Sequence, residues 1–392
     1  MKKIILGVII SIVFIVIGGI LLLQRSVSPS PKEKIYVAVE GDGKIAVIDA
    51  ATRKIIKNID LSLEHEGGRL IYAPHNVQVA PDGKSVWVTA NVGKHEGHSA
   101  YVPFRAYAHG NEDTGEMRAE LDQVIVIDPV KDEIVERVPV TVGNLAHVAL
   151  DPKSENAYVT AGKGGYFFRI NTKTYKAEAV FRFDAESEPH GLRINPAGRV
   201  AYIALLKGKA LASLDLSTNQ LHKLRLSGQA VQVGVTPDGK FSFASLYDEK
   251  KLAIFPEDFV SRIKIKTSEP LENFLRYVVL PKSARGPIQM YPTPDSKFVY
   301  LADQGYYFNQ PEGEWVYKID LEAGKVVKEI KAGRAPHGVV VSKDGSYVYV
   351  TNLLSGDVSV IDTVTDSEVV RIPVGKEPNG ISIWNKNLGG TP

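Results

Sequence analysis

Turn-punctuated runs of β-branched and aromatic residues fill the chain from Ile35 onward, and they predict an all-β fold. Turns such as PDG, SGD and KDG separate the runs, and no long helical pattern interrupts them. A four-strand unit recurs seven times when the runs are aligned on these turns. The units at the two ends are incomplete and complementary. Together these observations predict a seven-bladed β-propeller closed by a C-terminal strand and preceded by one N-terminal transmembrane helix.

The N-terminal segment, residues 1–24, predicts a membrane anchor. Lys2 and Lys3 precede an uncharged run from Ile4 to Leu23, which at ~1.5 Å per helical residue is long enough for ~30 Å of hydrocarbon. The run ends without a small-x-small site, so we expect a retained anchor rather than a cleaved signal peptide. The two lysines favour a cytoplasmic N-terminus. The sequence therefore predicts a single-pass protein of the cell membrane, with the propeller on the extracytoplasmic side.

The composition narrows the possible classes of protein. Residues 25–34 contain SVSPSP, which predicts a short stiff linker between the anchor and a propeller at 35–388. The net charge is +2 and no basic block or basic aromatic face is present, so no nucleic-acid partner is expected. The absence of cysteine excludes disulfides, Cys-ligated zinc, iron–sulfur clusters and covalently attached c-type haem. Contact with the membrane is expected through the N-terminal helix only.

The last repeat is the clearest unit. Residues 337–375 contain four strand-like runs, and in the second of these Tyr347, Tyr349 and Thr351 alternate with valines, as in a half-buried strand. Three intervals between units are 44, 41 and 42 residues, a length typical of a four-stranded propeller blade. The equivalent starting positions of the seven units are His75, Ala146, His190, Val231, Ile288, His337 and Asn379.

The two ends of the repeat predict a closed ring. After Asn379 only one strand remains, GISIW, whereas the first unit from Ile35 supplies only three strands. The C-terminal strand therefore completes the N-terminal blade and removes the exposed sheet edges. An open solenoid, the competing repeat architecture, would need no complementary half-units.

The sequence VYVTNLLSGDVSVIDTVTDSEVVRIPVG resembles the repeat of the YVTN family of β-propellers, with weaker copies at VWVTAN (86–91) and AYVTAG (157–162). The resemblance covers residues 35–384 and implies the propeller fold. Propellers of this kind resemble surface-layer proteins, the d1-haem propeller of a nitrite reductase, the copper-bearing propeller of nitrous oxide reductase, and lactonases. The resemblance therefore specifies a fold and leaves several functions open.

Three of the nine histidines occupy the same point of the repeat. His75, His190 and His337 begin the first strands of blades 2, 4 and 7, and in a propeller these strands line the central channel. Neutral imidazoles that converge at one mouth could bind copper, zinc or iron, or give a haem its axial ligand. His147 is one residue out of register, so its side chain is expected to point elsewhere. A structural role for these histidines, in hydrogen bonds to neighbouring loops, stays open.

A long insertion in blade 2, residues 92–120, is expected to emerge on the same face. It carries further histidines and is long enough to cover the channel mouth. Its HEGH motif has two residues between the histidines, so it does not indicate a zincin metalloprotease. An aromatic insertion in blade 6, residues 303–315, should rise on the same side. The candidate metal ligands are His75, His190, His337, His95, His98 and His109.

Three functional hypotheses follow. The first is a propeller that binds a transition metal or metal cofactor at one channel mouth, with catalysis undecided. The second is a non-catalytic interaction or surface scaffold with structural histidines and an extracytoplasmic protein or small-molecule partner. The third and weakest is a lactonase-type hydrolase, which would need carboxylates at the hub. No G-x-S-x-G elbow is present, and only three hub histidines are in register, unlike the full set in nitrous oxide reductase.

Overall fold

The computed structural model describes residues 31–65, 68–96, 122–140, 142–256, 274–307, 310–387 and 389–390. Contacts divide the chain into two units, Met1–Lys32 and Glu33–Pro392, and the second of these carries the sheets. Within the described ranges, no helix has the length and apolar character needed to cross a bilayer. The predicted anchor, residues 1–24, lies outside those ranges.

Seven antiparallel sheets form the second unit, as the sequence predicts. Blades 1 to 3 contain β1 (Glu33–Val39), β2 (Lys44–Asp49), β3 (Lys54–Asp60), β4 (Leu63–His65), β5 (Gly68–Val79), β6 (Val86–Glu96), β7 (Gln123–Asp128), β8 (Glu133–Pro139), β9 (Leu145–Leu150), β10 (Asn156–Ala161), β11 (Tyr166–Asn171) and β12 (Ala177–Arg182). Blades 4 and 5 contain β13 (Pro189–Ile194), β14 (Val200–Leu205), β15 (Ala210–Asp215), β16 (Leu221–Arg225), β17 (Ala230–Val235), β18 (Phe241–Leu246), β19 (Lys251–Pro256) and β20 (Arg276–Val279). Blades 6 and 7 contain β21 (Pro287–Pro292), β22 (Phe298–Gly305), β23 (Glu312–Asp320), β24 (Lys325–Lys331), β25 (Pro336–Val341), β26 (Tyr347–Asn352), β27 (Asp357–Asp362) and β28 (Ser367–Pro373), and β29 (Pro378–Asn385) and β30 (Gly389–Gly390) return to blade 1. Short 3₁₀ turns lie at Glu40–Asp42, Lys163–Gly165 and Ala185–Ser187.

The predicted closure of the ring is confirmed. β29 pairs antiparallel with β1, with Tyr36 opposite Ser382, and so supplies the inner strand that blade 1 lacks. The first and last strands of the propeller are thereby joined through one continuous ladder of hydrogen bonds. The edge of β1 that faces the channel is thereby paired, which removes a common route to edge-to-edge association.

The hydrophobic core lies between neighbouring sheets. Trp87 and Val126 of blade 2 pack with Val148 and Phe168 of blade 3, and equivalent clusters join the other blades. Stacked sheets of this kind interdigitate the side chains of two facing surfaces. The inner strands are covered on both faces, and for this reason β9, β21 and β25 are buried along their whole length.

A β-bulge near the start of the inner strand recurs in all seven blades. In blade 3, Leu145 pairs with Ala161 and Val148 with Val159, so Ala146 and His147 together oppose Thr160. An extra residue of this kind breaks the strict in–out alternation of side chains along a strand. Two consecutive positions of each inner strand can therefore direct a side chain towards the hub.

Hydroxyl side chains fasten the bulge in four blades. Thr160 accepts a hydrogen bond from the backbone N–H of His147 at 3.1 Å and donates one to the carbonyl of His190 in the next blade at 2.6 Å. Thr89, Ser245 and Thr351 make the same pair of bonds in blades 2, 5 and 7. Each hydroxyl thus satisfies a bulged N–H that has no ladder partner and ties one blade to its neighbour.

We expect replacement of Thr160 by Val to destabilise the protein by about 2–4 kcal/mol, because a buried N–H and a buried C=O both lose their partner. Thr160 is completely buried, so water cannot replace the lost bonds. The measurement is the midpoint of guanidinium unfolding. Thr218, an exposed turn residue, gives the matched control, and its Val variant should lie within about 0.5 kcal/mol of the parent. Equal midpoints for both variants would contradict the fastening role.

Candidate metal centre

Each blade contributes one histidine or amide side chain from the bulge of its inner strand to a polar ring; in blade 2 the neighbouring Asn76 is polar too, but it accepts a hydrogen bond from the Val148 N–H. Four of the seven blades contribute histidine, and the others contribute an amide. All seven residues are at most 6% exposed, so they form a buried polar ring between the blades. In blade order the ring consists of Asn379, His75, His147, His190, Gln232, Gln289 and His337.

The ring residue is either the first or the second of the two bulge residues, and the type of the other bulge residue differs between these two cases. In blades 1, 4 and 7 it comes first and is followed by glycine. A Cβ atom on Gly191 would lie 2.6 Å from the Cα atom of Gln232, so this glycine makes room for the next inner strand. In blade 3 the order is reversed, with Ala146 first and His147 second. The expectation that His147 points elsewhere is therefore wrong, because the bulge turns the second position inward.

Three of the histidines converge. One ring nitrogen each from His75, His147 and His190 lies within 4.8 Å of the other two. Geometry then guarantees a point within about 2.8 Å of all three nitrogens, compared with metal–nitrogen bonds of ~2.1 Å. Ring centroids are 5.0 to 5.9 Å apart within the trio. A shift of roughly 0.7 Å per nitrogen would bring the three imidazoles to bonding distance of one ion.

The protonation state of these histidines suits a ligand role. The Val231 carbonyl, which can only accept, lies 3.0 Å from Nδ1 of His190, so Nδ1 carries the proton and Nε2 keeps its lone pair. Burial, with the nearby His75, lowers the pKa of His190 to about 3. Burial, followed by the neighbouring His190 and His75, holds the pKa of His147 well below its usual value. Both imidazoles are therefore neutral at pH 7, the form that binds metals.

Two glutamines face His147. The amide nitrogens of Gln232 and Gln289 lie 3.4 and 3.5 Å from its two ring nitrogens, and contacts of this length are at most weak hydrogen bonds. Gln232 is held by its own bonds: Oε1 accepts from the Val233 N–H at 2.9 Å, and Nε2 donates to Gln289 at 3.1 Å. The amides are thus fixed independently of the imidazole, and among the described residues no strong hydrogen bond competes with a metal for His147.

A buried carboxylate stands behind His75. Glu40, in the 3₁₀ turn after β1, places Oε2 3.6 Å from Nδ1 of His75. The same oxygen accepts a hydrogen bond from the Asn379 amide at 2.5 Å, which fixes its position. The amide nitrogen of Asn379 lies nearer to the same Nδ1, at 3.2 Å, and 3.6 Å is too long for a hydrogen bond to Glu40. Glu40 therefore acts on His75 through its charge and by fixing Asn379, in the way of an outer partner of a metal-binding histidine. Glu40 was not foreseen from the sequence, where it is one of many acidic residues in a turn.

His337 lies beside this trio. Its ring centroid is 6.5 Å from that of His75 and 6.2 Å from that of Tyr307, and the amide nitrogen of Gln304 lies 2.8 Å from its Nδ1. Tyr307 belongs to the predicted insertion of blade 6, which therefore does rise on the histidine side. His337 is thus placed to contact a group held by the trio, and its role as a ligand stays a prediction.

The histidines of the blade-2 insertion have a different standing. The backbone of His95 lies in β6, opposite Leu70, and this hairpin extends the blade beyond His75 in the direction of the insertion. The side chain of His95 and the whole of His98 and His109 lie outside the described residues. Their assignment as ligands stays a prediction.

Comparisons with known proteins agree with this description. Residues 295–380, which span blade 7 and parts of its neighbours, match the Cytochrome D1 heme domain family. No curated protein matches the chain. A crystal structure of a functionally unknown protein from Desulfotomaculum acetoxidans shares 13% identity at a TM-score of 0.64, covering 89% of this chain and 98% of that one.

Two further solved structures share the fold. Kuenenia stuttgartiensis hydrazine synthase has 16% identity and a TM-score of 0.58, covering 84% of this chain and 96% of that one. Dihydro-heme d1 dehydrogenase NirN, in complex with DHE, has 14% identity and a TM-score of 0.56, covering 92% and 77%. Identities this low show the fold alone. The protein is a seven-bladed β-propeller similar to the d1-haem type, as the sequence resemblance indicated.

Proposed function

We propose that this protein is a membrane-anchored, extracytoplasmic propeller that binds a transition metal or metal cofactor at one mouth of its channel. The observation that carries the proposal is the convergence of His75, His147 and His190, three buried imidazoles with ligating atoms within 4.8 Å of one another. The anchor and its orientation rest on the uncharged run at residues 4–23.

The donor set favours copper, zinc or iron. Neutral imidazole suits these three metals, whereas calcium and magnesium prefer oxygen ligands. Three protein ligands leave a further position open for water, a small molecule or the nearby His337. An open position of this kind allows catalysis, cofactor transfer or storage, and the residues themselves do not choose among them.

Haem is the second form that the metal could take. The match to the Cytochrome D1 heme domain family and the likeness to NirN, which was solved with DHE, support it. One of these histidines would hold a haem through its iron. Because the ring centroids of the trio are only 5.0 to 5.9 Å apart, no macrocycle fits between them. The spacing therefore favours a single ion shared by three rings, or a haem that lies beyond them.

What the protein itself contributes is position and electrostatics. The bulges hold the imidazoles at fixed points of three rigid strands, and Asn379, which is bonded to Glu40, contacts one of them from behind. Burial keeps the rings neutral and excludes water from their nitrogens. A preorganised donor set of this kind binds a metal without first paying to order its ligands.

A non-catalytic scaffold is the alternative, and specific contacts favour it. The bond from His190 to the Val231 carbonyl and the contact of His337 with Gln304 would give these histidines a structural role without any metal. A lactonase-type hydrolase receives no such support, since the seven ring positions hold histidine, glutamine and asparagine rather than carboxylates.

Elemental analysis of the protein, purified without a metal-binding tag, tests the proposal. We expect about one copper, zinc or iron per chain, or a haem absorbance band, and its loss when His75, His147 and His190 are all changed to Ala. His222, on the outer strand β16, provides the control, and its Ala variant should keep the metal. The full chain should also partition with membranes, whereas residues 30–392 should not.

Absence of metal from the parent protein, together with failure to take any up on reconstitution, would leave the scaffold as the better explanation. If a folded triple variant keeps its metal content, the metal binds at residues other than these three histidines. Circular dichroism of each variant separates loss of ligands from loss of fold.

A further inference from the structure

A second cavity lies at the opposite ends of the inner strands. It has a volume of about 400 Å³ and is lined by residues at or just after the carboxyl ends of β5, β9, β13, β17, β21 and β25. Arg193 of this lining is three residues beyond His190 on β13, or ~10 Å at the rise of a strand. No histidine of the trio lines the cavity, although the charge of Arg193 still acts on His147 and helps to lower its pKa.

The cavity is lined mostly by apolar groups, together with the neutral polar side chains of Gln78, Asn195, Thr236 and Tyr291 and with two cations. Leu150, Val235 and Val341 line it together with prolines of the turns that follow the inner strands. Proline turns offer carbonyls but few N–H donors, and their ring carbons add apolar surface. Pockets of ~300–1,000 Å³ with mostly apolar walls and few polar groups are typical of sites for small organic molecules.

The charge of the lining is one-sided. Arg193 and Lys343 contribute cations, and the described part of the lining contains no Asp or Glu. Burial lowers the pKa of Lys343, and the nearby Glu33 partly offsets this effect. A carboxylate therefore already lies close to this lysine. Arg193 differs: its guanidinium donates to the Leu192 carbonyl at 2.9 Å, and among the described residues no carboxylate stands within ion-pair distance of it.

A partly buried guanidinium without an acidic partner loses hydration free energy, which a ligand can offset by supplying the negative charge. The planar fork of arginine matches a carboxylate in a bidentate arrangement, and such bonds strengthen away from bulk water. One arginine balances a monoanion, whereas a phosphate dianion would call for more donors. The apolar walls in turn require a ligand with an apolar body.

We propose that this cavity binds a small organic carboxylate, with its carboxylate on Arg193 and its apolar body against the walls formed by Leu150, Val235 and Val341. The site lies at the end of the channel opposite the histidines. It would give the protein a second ligand in addition to a metal.

Saturation-transfer NMR on the full chain in lipid nanodiscs tests the proposal, with benzoate as the probe and empty nanodiscs as the blank. Benzamide has the same shape without the charge, so it should bind at least tenfold more weakly than benzoate. Changing Arg193 to Met should weaken benzoate binding at least tenfold, whereas R193K, which keeps the charge, should lose less. Arg199, exposed in the following turn, gives the control R199M, which should bind like the parent.

Several results would overturn the assignment. These are no benzoate binding by the parent, equal binding of benzamide, or a folded R193M variant that binds as well as the parent. If inorganic phosphate binds more tightly than benzoate, the cavity is a site for a simple anion rather than for an organic carboxylate. Metal content measured on the same samples shows whether the histidine trio is intact, so failure here is distinguishable from failure of the metal site.

Discussion

Changing His147 to Phe should abolish stoichiometric metal binding, whereas changing His337 to Phe should leave a metal-binding protein. His147 supplies one of the three converging nitrogens, and it is completely buried, so phenylalanine fills the space but offers no lone pair. The affinity should fall by more than the roughly 10–100-fold that loss of an outer partner of a ligand costs. His337 stands beside the trio, and its loss should cost about tenfold or less. Competition against a chromophoric chelator measures both affinities.

The opposite ranking is equally informative. If the His337 variant loses the metal and the His147 variant keeps it, the ligands are the evenly spaced set His75, His190 and His337 expected from the repeat alone. Changing Glu40 to Gln separates orientation from ligation, because the amide keeps the size of the side chain and removes its charge. That variant should weaken binding by about 10–100-fold without abolishing it.

The fold was predictable because its signals are local and repeated. Each turn of the type found at residues 81–83 and 343–345 ends an inner strand, and seven such signals outweigh an irregular interval. The closure followed from counting strands, since a lone C-terminal strand and a three-strand first unit fit only each other. The pairing of β29 with β1 is the result.

The site was only partly predictable, and His147 shows the physical reason. Alignment on the turns assigns one hub position per blade and assumes strict alternation along the strand. The bulge adds a residue, so that both Ala146 and His147 oppose Thr160, and the neighbouring position also reaches the hub. A signal did exist in the sequence: in six blades one of two consecutive positions holds a histidine or an amide, as in Val231–Gln232 and Ile288–Gln289, and in blade 2 both positions do.

Other members of the site depend on contacts that no repeat encodes. Glu40 reaches Asn379 only because the chain closes on itself, which joins residues 339 positions apart, and it lies near His75 of the next blade. Tyr307 reaches His337 from an insertion whose length differs from blade to blade. Such contacts follow from the ring geometry, whereas the periodic pattern records only what the blades have in common.

Acid should destabilise the metal-free protein through its buried histidines. The pKa of His190 is about 3 in the folded protein and ~6.5 in the unfolded chain, so between these values the unfolded state binds more protons. Stability is therefore fully present above pH 6.5 and is lost as the pH falls towards 3. The whole difference corresponds to roughly 5 kcal/mol, and His147, whose pKa is lowered too, adds to it.

The buried carboxyl of Asp122 has the opposite effect on the pH dependence of stability. Burial raises the pKa of Asp122 to about 7, so the stability that it contributes is lost as the pH rises through that value.

Comparison of variants isolates the histidine contribution. Changing His190 to Gln keeps a hydrogen-bond donor for the Val231 carbonyl but removes the titration, so its free energy of unfolding should depend less steeply on pH by ~1.4 kcal/mol per unit. Urea unfolding at pH 6.5 and 5 should then show the parent losing about 2 kcal/mol more than the variant. Parallel pH dependences would mean that His190 becomes protonated as readily in the folded protein as in the unfolded chain, which would contradict the low pKa that burial gives it.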